Sequence, residues 1–70
     1  MNFSDFKFIV VIPVYNEQDI IQRVIEDVKL KLSEYDYQIL ILNDGSKDKT
    51  KEKLKIFEND RKISIINKDN

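Results

Sequence analysis

The chain has 70 residues, 36% of them charged and 41% hydrophobic, with a formal net charge of -1. That balance suits one small globular domain and gives no overall attraction to nucleic acid or to an anionic membrane. Cysteine and histidine are both absent, which excludes disulfides, thiol nucleophiles, histidine bases and the usual zinc sites. No segment reaches the ~20 apolar residues that span a bilayer, and Asp5 ahead of a strand-like run is unlike a cleaved leader. The lack of cysteine is compatible with a reducing, cytoplasmic setting.

Residues 7–12 form an apolar run rich in β-branched types, closed by Pro13. Such runs suit a strand buried on both faces, as in parallel sheets. From Glu17 to about Leu32 the period changes. Ile21, Val24, Ile25, Val28 and Leu32 recur at helical spacing, with Arg23, Glu26, Asp27 and Lys31 largely opposite, which predicts an amphipathic helix. Asn16 is its expected N-cap, Glu17 and Asp19 suit its positive start, and Lys29 and Lys31 suit its end. Ser33–Asp36 forms a return loop. A second buried strand covers Ile39–Leu42, beginning near Tyr37, and Tyr35 and Tyr37 are expected to pack around the loop.

Gly45 is the only glycine and stands where the backbone needs positive φ. Ser46 or Asp48 then caps a helix to about Glu58, with Leu54 and Phe57 facing inward. Asn59-Asp60 closes that helix, and Ile63–Ile66 is a third strand. The lysines at 47, 49, 51, 53 and 55 spread around the helix as a solvated surface. The fold class is α/β, a β-α-β-α-β unit with a three-stranded parallel sheet. Winding one way puts both helices on the same face. The first two strands are apolar at nearly every position, so the other face and the edge of the first strand also call for cover. Further elements are expected to complete the sheet, and the unit is incomplete by itself.

Two segments carry the functional signal: Pro13-Val14-Tyr15-Asn16-Glu17 after the first strand, and Asn43-Asp44-Gly45-Ser46-Lys47-Asp48-Lys49-Thr50 after the second. If the strands are parallel neighbours, both turns lie at the carboxyl edge of one sheet, where open α/β sheets bind ligands. Glu17 and Asp44 then share a crevice. Ionised carboxylates only accept hydrogen bonds, which matches a ribose diol or the ring N–H of uracil or guanine. Tyr15 offers an aromatic surface for a base and Pro13 stiffens the backbone. With one glycine, neither G-x-G-x-x-G nor a Walker loop is possible, and a calcium loop would need an acid at Leu40. Taken singly, each of these residues is an ordinary cap or turn device. Their joint position at neighbouring strand ends is what points to a ligand.

Val11-Ile12-Pro13-Val14-Tyr15-Asn16-Glu17, followed by Asn43-Asp44-Gly45-Ser46-Lys47-Asp48-Lys49-Thr50, resembles the N-terminal signature of family 2 glycosyltransferases. The nearest flavour is that of the dolichol- or polyprenyl-phosphate sugar synthases, and the resemblance runs from about Lys7 to Asn70. It implies a GT-A fold whose first half is a Rossmann-like nucleotide-binding unit, with residues 1–70 as the N-terminal, nucleotide-binding part of a glycosyltransferase domain. Residues matching Pro13, Tyr15 and Glu17 line the nucleotide pocket in that family, and the one matching Asp44 contacts the base. Ser46, Asp48 and Thr50 match the rest of the second turn. Asn43 stands where many members have a second Asp.

By the same resemblance the reaction moves a sugar from a nucleotide-diphosphate donor to an acceptor, polyprenyl phosphate in the nearest subgroup, usually with Mg²⁺ or Mn²⁺. The location implied is the cytoplasm or the cytoplasmic face of a membrane, with a lipid-phosphate acceptor bound through other regions. The family's Asp-x-Asp metal motif lies beyond the third strand and its catalytic base further on, and Asp69 is not that motif. The expectation is thus a nucleotide half-site with no catalytic residue, no metal ligand and no activity of its own. The competing expectation is a non-catalytic module that binds nucleotide or pairs through its open sheet edge.

Overall fold

A computed structural model describes residues 7–68. Three strands, β1 (Phe8–Val14), β2 (Tyr37–Asp44) and β3 (Ile63–Lys68), alternate with two helices, α1 (Ile21–Lys31) and α2 (Thr50–Leu54), the second continued by a 3₁₀ turn at Lys55–Phe57. The strands pair in parallel in the order β1-β2-β3, the Rossmann-like opening that the sequence predicts.

Register and side-chain alternation sort the sheet into two faces. Val10, Ile39 and Ile63 align across the strands, as do Ile12, Ile41 and Ile65. This is the face both helices cover. Ile21 and Ile25 from α1, Leu54 and Phe57 from the second helical segment, and Val14, Ile39, Ile41 and Ile63 from the strands form the buried core. The opposite face carries Ile9, Val11 and Pro13 of β1, Leu40 and Leu42 of β2, and Ile66 of β3. No described element covers it, and Val11 and Ile66 are half exposed, at 51% and 52%.

Several boundaries differ from expectation. β2 runs on through Asn43 and Asp44, which the sequence pattern places in the turn, and β3 runs on to Lys68. α1 starts at Ile21 rather than Glu17, and Asn16 is not its cap: the residue before the helix is Ile20, which makes no side-chain cap bond. Asn16 instead takes positive φ, 51°, and the stretch up to Ile20 folds as turns, with the Glu17 carbonyl accepting from the N–H of Ile20 and of Ile21. The second helix is shorter than predicted and tightens into 3₁₀ geometry after Leu54, as helix ends often do. β1 runs through Pro13 to Val14, because a strand bonded on one side only tolerates a residue with no N–H.

The return loop is held as the aromatics suggest. Tyr37 is buried with the Lys62 ammonium 4.8 Å from its ring centre, and Tyr35 packs edge-on to Phe8 at 5.4 Å. Lys29 of α1 bonds Asp60 ahead of β3. That bond raises the Lys29 pKa against the opposing effect of burial. Burial pushes the Asp60 carboxyl up, but the bonds from Lys29 and the Lys62 N–H outweigh it and hold the group below its ordinary range.

Ile25 is fully buried beneath the sheet while Leu30 of the same helix is 74% exposed. Ile25→Ala is expected to cost about 2–5 kcal/mol, whereas Leu30→Ala stays within about 0.5 kcal/mol. Urea unfolding of the two variants measures the contrast. Equal losses would mean that α1 packs by another face.

Candidate functional site

β1 and β2 end level with each other, Val14 opposite Asn43, so the two turns that follow emerge side by side. Positive φ is needed once in each: Asn16 at 51° and Gly45 at 69°. Asparagine tolerates that region better than other side-chain-bearing residues, and glycine does so freely.

The turns are bonded to one another, and the bonds run both ways. The backbone N–H groups of Asn16, Glu17 and Gln18 donate in order to Ser46 Oγ (3.0 Å), Thr50 Oγ1 (2.8 Å) and Asp48 Oδ2 (3.3 Å). In return, Lys47 N–H donates to Asn16 Oδ1 at 2.7 Å and Lys49 N–H to Gln18 Oε1 at 2.8 Å. Each turn thus satisfies backbone donors of the other, a role usually filled by a cap within the same segment. Asp48 also accepts from Thr50 N–H at 2.8 Å, at the start of α2. Ser46 donates to Asn43 Oδ1, and the Asn43 amide donates to Asn67 Oδ1 at 2.9 Å, which extends the network to β3. Asn43, 3% exposed, is a structural link.

Of the four predicted site residues, Pro13 and Asp44 come together. They line a depression of about 250 Å³ with Leu42, Asn43, Ile66 and Lys68. Its apolar floor and charged rim suit a single planar ring with polar edges, and it is smaller than the ~300–1,000 Å³ typical of whole-ligand pockets. Tyr15 and Glu17 do not line it. They stand exposed on the neighbouring turn, and the cross-turn bonds fix the Glu17 backbone beside the Thr50 side chain. Neither the Glu17 nor the Asp44 carboxylate has a protein partner among the described residues, so both remain available as acceptors. A larger groove of about 710 Å³ runs between α2 and β3, past Lys51, Leu54, Lys55, Arg61 and Ile65. None of the four predicted residues lies in it, and the strand-end position favours the smaller depression.

Gln18, Asn43 and Lys68 were not among the predicted site residues. Alternation along β3 would have put Lys68 on the face of Asp44, its register partner, but the role of Gln18 has no local signal. The metal implied by the resemblance does not fit the residues present. Asp44 is the one carboxylate lining the depression, its strand neighbour is the cation Lys68, and the described residues contain no group of three or more acids that could hold an ion.

Burial pushes the Asp48 carboxyl up, but hydrogen bonds from the Thr50 hydroxyl, the Thr50 N–H and the Gln18 N–H outweigh it, and its pKa falls below the ordinary 3.8. A depressed carboxylate stabilises the fold fully above its unfolded value, and that contribution is lost as pH falls through the folded value. Stability is therefore expected to be flat from pH 7 to about 4 as far as Asp48 is concerned, then to drop. Melting temperatures followed from pH 7 to below about pH 4 should show a shallower acid limb in Asp48→Asn. An unaltered limb would mean that the Asp48 charge takes no part in joining the turns.

Comparison with known proteins bears on the same two turns. The pattern of the family described as "Glycosyl transferase family 2" matches residues 9–70, from the second residue of β1 through both turns. An uncharacterized glycosyltransferase of Synechocystis sp. (strain ATCC 27184 / PCC 6803 / Kazusa) is 41% identical over 64 residues, covering 83% of this chain and 19% of the relative. The chain thus spans about a fifth of the length of that relative. With a parallel sheet of the kind that opens the GT-A fold and both strand-end turns inside the matched region, the chain belongs to glycosyl transferase family 2.

Proposed function

We propose that residues 7–68 form the nucleotide-recognising half of a donor site, within a domain that transfers a sugar from a nucleotide diphosphate to an acceptor. The observation that carries this reading is the placement of two partner-free carboxylates, Glu17 and Asp44, on adjacent turns at the carboxyl end of a parallel sheet. Asp44 accepts from the ring N–H of a base lying over Pro13, Leu42 and Ile66. Glu17 accepts from the ribose hydroxyls, and Tyr15 offers its ring to the base or sugar.

Catalysis of transfer requires more than recognition. Charge that develops on the leaving diphosphate must be met by a cation or by fixed donors, and an acceptor hydroxyl needs a base. On this reading the segment binds and orients the donor while other parts of the protein perform the chemistry. A polyprenyl phosphate is the acceptor proposed from the likeness to the polyprenyl-phosphate sugar synthases. A phosphate oxygen is already ionised and needs no base to become a nucleophile.

A second reading is favoured by the open sheet face. Ile9, Val11 and Ile66 are roughly half exposed there, and an apolar face of this kind also suits association. Sedimentation over a range of concentrations, with and without UDP, separates the two. Association that ignores nucleotide supports the second reading.

UDP and GDP titrated into the isotope-labelled chain are expected to shift the amide resonances of Gly45 and Lys68. Asp44→Ala is expected to weaken that binding by about tenfold or more, the effect of losing one charge-assisted hydrogen bond. Unchanged affinity would remove Asp44 from the site, and no binding of either nucleotide by the parent chain would remove the donor-site reading.

A further inference from the structure

We infer that Asn16 is a positioning residue for the donor site: it sets Tyr15 and Glu17 against the turn that follows Asp44, without touching the nucleotide itself. The inference rests on the donor-site reading above.

Asn16 lies between two of the proposed contact residues and differs from both in its backbone. Its φ of 51° is the left-handed conformation, and among the described residues it is the one non-glycine residue with positive φ. Asparagine reaches this region more readily than other side-chain-bearing residues, and its surroundings hold it there. They do so from both sides. Asn16 N–H donates to Ser46 Oγ at 3.0 Å, and Asn16 Oδ1 accepts from Lys47 N–H at 2.7 Å. Both partners sit in the loop that begins at Gly45, immediately after Asp44.

The consequence follows from chain geometry. A left-handed residue reverses the local direction of the backbone, so it determines where the side chains on either side point. The next bond along runs from Glu17 N–H to Thr50 Oγ1 at 2.8 Å, and Thr50 is fully buried at the start of α2, so the turn meets a packed partner. Asn16 also contributes little to packing, being exposed and outside the core. Its two bonds therefore act on the relation between the turns. A helix cap, the role its sequence position suggests, would face α1; both of its bonds face the other turn.

The test is a coupling measurement with UDP or GDP, whichever binds the parent chain more tightly. Asn16→Ala, which removes the Oδ1 acceptor and tolerates positive φ poorly, is expected to weaken binding by about tenfold. Asn16→Gly keeps the conformation and loses only the acceptor, and should fall between Asn16→Ala and the parent. In a chain already carrying Tyr15→Ala and Glu17→Ala, Asn16→Ala should cost less than about twofold more, because the groups it positions are gone. A residue acting only through overall stability would cost the same in both backgrounds, and the melting temperature of each variant reports that directly. Equal cost in both backgrounds, or no effect of Asn16→Ala in a parent that binds, overturns the inference and leaves the donor-site reading intact. A parent chain that binds neither nucleotide overturns both.

Discussion

The strand-end architecture depends on one arrangement: the exchange of hydrogen bonds between the turn after β1 and the turn after β2. Parallel pairing brings two strand ends level, but it does not decide how the chain leaves them. Here the exit is decided by three backbone donors of one turn meeting Ser46, Thr50 and Asp48, and two donors of the other meeting Asn16 and Gln18. The bonds from Glu17 and Gln18 N–H are part-buried, where an unpaired donor is costly, and the other three lie at the surface. Both turns are also tied into larger bodies, one through α1 and the other through Thr50 into the core.

This arrangement explains why the acidic residues divide as they do. Asp48 is consumed by structure, its two oxygens accepting from Gln18 and Thr50. Asp60 is consumed by Lys29 and by the N–H of Lys62. Glu17 and Asp44 have no such partners among the described residues and stand beside the depression or in it. Ionised groups left unpaired at a strand-end crevice gain nothing for the fold, whereas a ligand rich in hydroxyl and N–H donors can use them. The Asn43 side chain links Ser46 to Asn67. A neutral amide can donate to one and accept from the other, which a carboxylate could not do.

The open face of the sheet is the counterpart of this polar edge. Helices on one side only leave Val11, Leu40, Leu42 and Ile66 without cover in the described residues, although strands of this composition belong in a two-sided sheet. The depression lies on that same face, so whatever covers the sheet also forms a wall of the crevice.

Much of the fold was legible in the sequence. The run before Pro13 and the run Ile39–Leu42 announce strands by β-branched density, the spacing of Ile21, Ile25 and Val28 announces a helix, and the lone glycine marks the positive-φ turn. Both motifs fall at the carboxyl end of the sheet, where Pro13 and Asp44 line one depression. These features are local: each depends on residues within a few positions of one another, where period and propensity speak directly. What only tertiary structure decided lies elsewhere. Asn16 looked like a cap for its own helix and became a left-handed hinge bonded to residues 30 and 31 positions away. Gln18 became a cap for Lys49, and Ser46 served the opposite turn rather than α2. A side-chain oxygen takes whichever donor the register brings within reach, and register is set by the packing of whole strands, which no short window of sequence contains.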